Sequence, residues 1–322
     1  MKNGITLGLD ECIQLRPKKE ITGFAPSGRV ATHLFGQHAA LFKGRGMEFA
    51  ESRPYQNGDD VRYMDWRVSA RSGKLHTKLF QEERERPVLI LLDLRAMMRF
   101  GSRVRFKSHL AAELAASFAW VAYDGGDRLG GLLLTDNGLV DFPLARTRKG
   151  VLRWLHAVSA GTEPPTERAE MTQTVPLLKT ALQRLRHLAQ TGSLLFIISD
   201  FHDYDATTAK ELLHLSLHHH VTVVQVEDAL DRALPSNGQL AISDGKASVR
   251  LGALGEAIKQ YQQAFMARQA ALSADCVRNG IAYHRITTED DPQRLLYIDK
   301  KPRKQRRGMR QKIENRATGA SQ

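Results

Sequence analysis

Three runs of strand length, two continuously apolar and one rich in valine, each end in a carboxylate: Pro87-Val-Leu-Ile-Leu-Leu-Asp93, Ser193-Leu-Leu-Phe-Ile-Ile-Ser-Asp200 and Val221-Thr-Val-Val-Gln-Val-Glu-Asp228. Continuous apolar character over so short a span predicts strands buried on both faces, as in a parallel sheet. Between them the period changes to that of a helix. Leu110, Leu114, Phe118 and Val121 predict a helix over Phe106–Tyr123, broken by Gly125-Gly126. Strands at Leu129–Leu134 and Leu139–Leu144 flank the turn Asp136-Asn-Gly138, so the second should return antiparallel to the first. Helices are predicted at Leu152–Val158, Pro176–Leu188, Ala209–Leu217 and Ala257–Asn279, the last closed by Gly280 before a strand at Ile281–Ile286. Strand and helix therefore alternate, which predicts an α/β fold: a doubly wound, mostly parallel sheet with helices on both faces.

The N-terminal part reads differently. Up to about residue 40, Pro, Gly and basic residues interrupt short apolar stretches, leaving one helix predicted near Arg29–Phe42. The following segment is polar and dense in charge. Within it Asn57-Gly58-Asp59-Asp60 predicts a turn that caps a short helix, Val61–Trp66, and Leu75–Phe80 alternates like a strand.

With 322 residues and 42% hydrophobic content, the chain can bury a proper core. No stretch approaches the roughly 20 apolar residues of a membrane span, and acids and Pro17 stand where a signal peptide needs an apolar run. The expected location is cytoplasmic, or peripheral to the inner membrane. Cys12 and Cys276 are the only cysteines, and neither has Cys or His at metal-ligand spacing around it. The net charge is +12, yet residues 300–322 alone hold nine Lys and Arg against one acid, Glu314. This tail reads as a solvated extension or as a docking arm for acidic protein, anionic lipid or nucleic acid.

In open α/β sheets ligands sit beyond the carboxyl ends of the strands, so Asp93, Ser199, Asp200 and the turn after Asp127 are expected along one edge. Asp93 and Asp200 suit a hard cation such as Mg²⁺, and equally suit capping the helices that follow them. His214 and His218 have the i, i+4 spacing of helical metal ligands, but without an accompanying carboxylate pattern the last-turn preference of His explains them better. No nucleophile elbow, phosphate-binding glycine loop or zinc-protease motif occurs, so no catalytic residue is assigned.

One segment is more distinctive. Arg53-Pro-Tyr55-Gln-Asn-Gly58-Asp59-Asp60-Val-Arg62-Tyr-Met-Asp65-Trp66, followed by Ser69-Ala-Arg71-Ser-Gly-Lys-Leu75 and Glu82, closely resembles the signature of the bacterial domain of unknown function 58 family. Gly126-Asp-Arg-Leu-Gly130, Ile198-Ser-Asp-Phe201, Asp228 to Leu234-Pro235 and Asp290-Asp-Pro292 resemble further family segments, so the likeness spans most of the chain. It implies a von Willebrand factor A-like core at 85–235, preceded by a family-specific segment at 1–84. A helix and strand packed on the core at 236–299 and a disordered basic tail at 300–322 would follow. It also implies a MoxR-type AAA+ ATPase, or that ATPase's client, as partner. A metal-binding von Willebrand A domain uses Asp-x-Ser-x-Ser; here the segment is Asp93-Leu-Arg95-Ala-Met97, with both serines replaced. A thioether is a poor Mg²⁺ ligand and a guanidinium brings its own positive charge, so no Mg²⁺ and no other cofactor is expected.

The resemblance thus points to a non-catalytic interaction module with a degenerate metal site. Its partner edge would be Asp93, Arg95, Met97, Thr174 and Asp200, with Arg95 pairing with Asp93 or Asp200 or forking onto a partner's carboxylate. Alternatives are a nucleic-acid or anionic-membrane binder working through the tail and, third, a metal-dependent hydrolase using Asp93 and Asp200. In the Arg53–Trp66 signature, the acids are expected to cap turns and pair with Arg53, Arg62 or Arg71, and Trp66 to be a packed anchor.

Overall fold

The three carboxylate-ended runs form neighbouring parallel strands at the centre of one sheet. The computed structural model describes residues 4–17, 47–56, 59, 61–82, 86–164, 177–234, 241–243, 248–250 and 255–296. In chain order the elements are α1 (Leu9–Gln14), β1 (Met47–Pro54), α2 (Trp66–Ser72), β2 (His76–Glu82), β3 (Pro87–Asp93), α3 (Lys107–Asp124), β4 (Arg128–Thr135) and β5 (Gly138–Ala145). They continue with α4 (Arg148–Thr162), α5 (Leu178–Leu188), β6 (Leu194–Ser199), α6 (Ala206–Ser216), β7 (His220–Glu227) and α7 (Ala229–Arg232). A short hairpin, β8 (Ala241–Ser243) and β9 (Ser248–Arg250), precedes α8 (Gly255–Arg278) and β10 (Ala282–Thr287).

The main sheet has six strands in the order β10-β7-β6-β3-β4-β5, all parallel except β5, which returns antiparallel beside β4. Gly138 makes that return possible, with φ +135 at the turn, a backbone conformation that L side chains rarely adopt. Helices cover both faces, as the strand pattern predicted. Successive side chains of a strand point to opposite faces. Val88, Ile90 and Leu92 of β3 therefore join the core beneath α3 and α4, while Leu89 and Leu91 join the one beneath α5, α6 and α8. The same alternation divides Leu194, Phe196 and Ile198 of β6 from Leu195 and Ile197, which explains why these runs contain no polar interior position.

Helix α3 is buried on nearly all sides, and its alanines at 111, 112, 115, 116, 119 and 122 let neighbours approach closely. Helix α1 is tied to it by a hydrogen bond from Trp120 Nε1 to the Cys12 carbonyl at 3.0 Å, and Leu7 N donates to Thr162 Oγ1 of α4 at 3.0 Å. At the other end of the chain, β10 pairs with β7 as the sheet's edge, so residues before 85 and after 235 both contribute to the cores.

Several boundaries differ from the sequence reading. Strand β1 lies where charge density predicted no element, and α1 was not anticipated. The expected helix Val61–Trp66 is a 3-10 turn at Val61–Tyr63 followed by α2, because Asp65 accepts a hydrogen bond from Val68 N and so starts the α-helix only at Trp66. The helix predicted near Arg29–Phe42 and the tail at 300–322 fall outside the described residues.

Gly131 of β4 is needed where it stands. A Cβ there would lie 2.4 Å from the Ile90 carbonyl oxygen and 2.7 Å from the Trp154 ring. Gly131→Ala is expected to destabilise by about 1–3 kcal/mol, the usual range for overpacking. Urea titration checks this, and an unshifted midpoint would mean that β3 and Trp154 yield freely.

Candidate functional site

From β3 the chain runs outward to β4 and β5, then crosses back to β6 on the other side of β3 and continues to β7 and β10. The direction of winding reverses between β3 and β6, the place where open α/β sheets leave a crevice at the strand carboxyl ends. Asp93 ends β3 and Ser199 ends β6, with Asp200 next, and Ser199 Oγ donates to Asp93 Oδ2 at 2.7 Å.

Two cations fill the ground between these carboxylates. Arg95 is only 2% exposed. Its Nε donates to Asp93 Oδ1 at 3.0 Å and its Nη2 to Asp93 Oδ2 at 2.7 Å, while Nη1 and Nη2 reach the two oxygens of Asp203 at 2.7 and 2.9 Å. Lys107, the first residue of α3 and equally buried, places Nζ 2.8 Å from Asp200 Oδ2 and 3.3 Å from Asp231 Oδ2. The remaining Asp200 oxygen accepts from His202 Nδ1 at 2.9 Å. The next carboxylate along the edge is Asp136, which accepts from Ala96 N at 2.9 Å, pairs with Arg99 and thereby fixes the 3-10 turn Ala96–Met98 after β3.

The electrostatics follow from burial and pairing. Burial alone would raise Asp200, but Lys107 and His202 outweigh it and hold this carboxyl far below the usual carboxylate range. Asp203 is likewise lowered, since Arg95 and the Leu178 N–H overcome its burial. Asp93 moves the other way: desolvation, reinforced by the Asp200 charge, pushes it up against the pull of Arg95 and Ser199. Both cations are raised, because their carboxylates more than offset the desolvation of the charge. The turn that carries these groups is itself strained. Phe201 has φ +55, rare for a bulky residue, and is held by Ser199 Oγ, which accepts its N–H at 3.0 Å, and by burial of its ring.

Asp93, Asp200 and His202 lie close enough to share a metal ion, with ligand atoms within 4.8 Å of one another. Their oxygens are nevertheless committed. Both oxygens of Asp93 accept from Arg95, and both of Asp200 accept from Lys107 or His202, so the donor set does not fit a divalent cation. The arrangement departs from the sequence expectation in several ways. Arg95 pairs with Asp93 and Asp203 rather than Asp200, and its buried guanidinium cannot fork onto a partner. Lys107, Asp203 and Asp231 were not singled out. Of the expected edge residues Met97 is the one turned to solvent, at 52% exposure, and Thr174 lies outside the described residues. Asp127 is not on this edge: it precedes β4 at the opposite end of the sheet, where its Oδ1 accepts from Arg86 N at 3.0 Å. His214 Nδ1 contacts Arg186 Nη1 at 3.0 Å on the surface between α5 and α6.

The signature segment folds as the antiparallel β1–β2 pair with α2 between the strands in sequence. Arg53 pairs with Asp59 at 2.6 Å, and Asp65 caps α2 while accepting from Ser52 Oγ at 2.6 Å. Tyr55 is half-buried and its N–H bonds to the Leu75 carbonyl at 2.8 Å; Arg62 and Arg71 are exposed. Trp66 is not a packed anchor but 65% exposed. Gly58 and Asp60 lie outside the described residues.

The model of the family described as Protein of unknown function DUF58 matches residues 51–274, from the signature through most of α8. The chain belongs to the DUF58 family. Its relatives include the uncharacterised proteins Rv1480 of Mycobacterium tuberculosis and Mb1516 of Mycobacterium bovis, each 30% identical over 67% of this chain. The match spans 66% of the length of each relative. A solved von Willebrand A domain, that of SpRpn10, aligns with 66% of this chain and 94% of its own at 11% identity and a TM-score of 0.34. In this DUF58 chain no helix among the described residues is long and apolar enough to cross a membrane.

Removing one partner of a buried pair strands the other charge. Arg95→Met and Lys107→Met are each expected to destabilise by about 3–5 kcal/mol in denaturant titration. The pH dependence has a definite sign. Because the folded pKa of Asp200 is depressed, its contribution is present above its ordinary value of 3.8 and is lost as pH falls through the folded value. Without Lys107 that folded value rises, so Lys107→Met should begin acid unfolding at a higher pH than the unaltered chain. Coincident acid transitions by circular dichroism would refute the coupling.

Proposed function

We propose that the chain is a non-catalytic protein-interaction module, cytoplasmic or peripheral to the inner membrane, that serves a MoxR-type AAA+ ATPase or its client. The observation that carries this reading is the mutual neutralisation at the switch point. Asp93, Asp200, Asp203 and Asp231 spend their charge on Arg95 and Lys107 inside the protein, so that among the described residues the edge's acids are committed to internal cations, with His202 partly exposed beside them. A locked edge of this kind is a rigid surface to dock against. Contact then falls to the residues that the lock presents, Met97 on the turn after β3 and Leu177 at the start of α5, which are 52% and 55% exposed. Arg95 acts as the positioning residue beneath them.

The test is binding of the full-length chain to the purified ATPase with Mg·ATP present. Met97→Glu is expected to weaken association at least tenfold with an unchanged melting temperature. Full affinity in that variant would remove this edge from the interface. The basic tail favours a second reading, electrostatic attachment to nucleic acid or an anionic membrane. Truncation after Ile298 and a rise in ionic strength would abolish binding of that kind and leave a docked domain in place.

The same lock supports the absence of Mg²⁺ at this edge and so argues against the metal-dependent hydrolase. Calorimetry should detect no micromolar Mg²⁺ binding in the unaltered chain. Replacing Arg95 and Met97 by Ser should still fail to create a site while Lys107 occupies Asp200, and binding should appear only when Lys107 is also replaced by Ala. Tight Mg²⁺ binding to the unaltered chain through Asp93 would overturn the interaction-module reading at this edge.

A further inference from the structure

The two described acids of the Arg53–Trp66 signature, Asp59 and Asp65, are used inside it. Asp65 serves Val68 N and Ser52 Oγ, and Asp59 serves Arg53 and the Gln56 N–H at 2.9 Å. The cations on the outer side of α2 are left over. Arg67 and Arg71, one helical turn apart, are exposed, as is Lys74 just past the left-handed Gly73. Among the described residues none of these three is ion-paired. Trp66, next to Arg67 in the chain, is 65% exposed, and two aliphatic residues of the same segment are also exposed, Val61 at 59% and Leu75 at 49%. The Asp65 N–H donates to the His76 carbonyl at 2.8 Å, which brings the residues next to Trp66 and Leu75 together at one end of the β1–β2 pair. An exposed tryptophan with aliphatic neighbours and an arginine rim has the composition of a protein-binding hot spot, where Trp and Arg dominate the energetics and the rim excludes water.

We propose that this face of α2 is a docking surface for an acidic segment of a partner protein, with Trp66 as its apolar anchor and Arg67, Arg71 and Lys74 pairing with the segment's carboxylates. The surplus of positive charge selects an anionic occupant. A protein segment suits the surface better than a nucleic acid, because among the described residues of the segment Trp66 alone is a largely exposed aromatic, and one such ring offers no succession of stacking platforms for bases. This surface lies on the signature segment, apart from the strand-end edge, and it stands whether or not that edge binds.

The experiment places the photo-crosslinker benzoylphenylalanine at position 66 of the full-length chain in its native cells and identifies what is captured. The captured protein segment is then made as a synthetic peptide and its affinity measured by fluorescence polarisation. The expected result is a segment rich in Asp and Glu whose affinity falls at least tenfold with Trp66→Ala and with Arg67→Glu/Arg71→Glu. Affinity for the charge-reversed chain should return when the peptide's acids are changed to Lys. All these positions are exposed, so melting temperatures should not move; should the Glu pair alter folding, Arg67→Gln/Arg71→Gln provides the same comparison. A nuclease-sensitive adduct, no adduct, a segment without acidic excess, or an affinity indifferent to these substitutions would each overturn the proposal.

Discussion

An arginine and a lysine buried under the carboxyl edge of the sheet constrain everything around them. A buried cation is tolerated only where carboxylates meet it at hydrogen-bond distance, and the carboxylates here come from the end of β3, the loop after β6 and α7. Arg95 joins the end of β3 to the loop after β6 through Asp203, whose Oδ2 also accepts the Leu178 N–H at 2.8 Å where α5 begins. Lys107 joins α3 to the β6 loop and to α7. The central strands, three helices and two loops are thus pinned by one set of charges. With four carboxylates facing two cations and a histidine, desolvation and the neighbouring Asp200 charge outweigh the cations at Asp93 and Asp231 and push both up, whereas pairing wins at Asp200 and Asp203 and holds both down.

This arrangement differs physically from an edge built around a metal ion. An ion can leave, and a partner can complete its coordination shell, so such an edge responds to ion concentration. Covalently attached cations are always present and offer no open coordination position. What reaches solvent is then shape and apolar surface, Met97 and Leu177, rather than charge.

Much of this was legible in the sequence wherever local pattern and tertiary demand agree. The runs ending at Asp93, Asp200 and Asp228 stand out because strands between two helical layers have no solvent face, and Asp136-Asn-Gly138 declares its own turn. The pairing of Arg95 with Asp93 could be read because only Leu94 separates them. Asp203 could not, since it meets Arg95 only after β6 has been placed beside β3. Lys107 read as an ordinary start of a helix, yet a lysine in the first turn opposes the helix dipole, and that was the available cue to a buried partner. Strand β1 was hidden because a two-stranded pair outside the main sheet has no long apolar run to announce it, and α2 began late because Asp65 prefers to cap rather than to sit inside.

The separation of these partners along the chain bears on how the protein is made. As β3 and α3 leave the ribosome, Arg95 has only Asp93 and Lys107 has neither of its carboxylates; Asp200 and Asp203 follow about a hundred residues later, and Asp231 later still. Until then the central strand has no neighbour on its β6 side, and the face that carries Leu89 and Leu91 still waits for α6 and α8. Domains ordinarily fold as units during synthesis at about 5–20 residues per second, so this core stays open for several seconds on each ribosome. Newly made chains therefore depend, during that interval, on whatever cellular machinery shields nascent apolar surface.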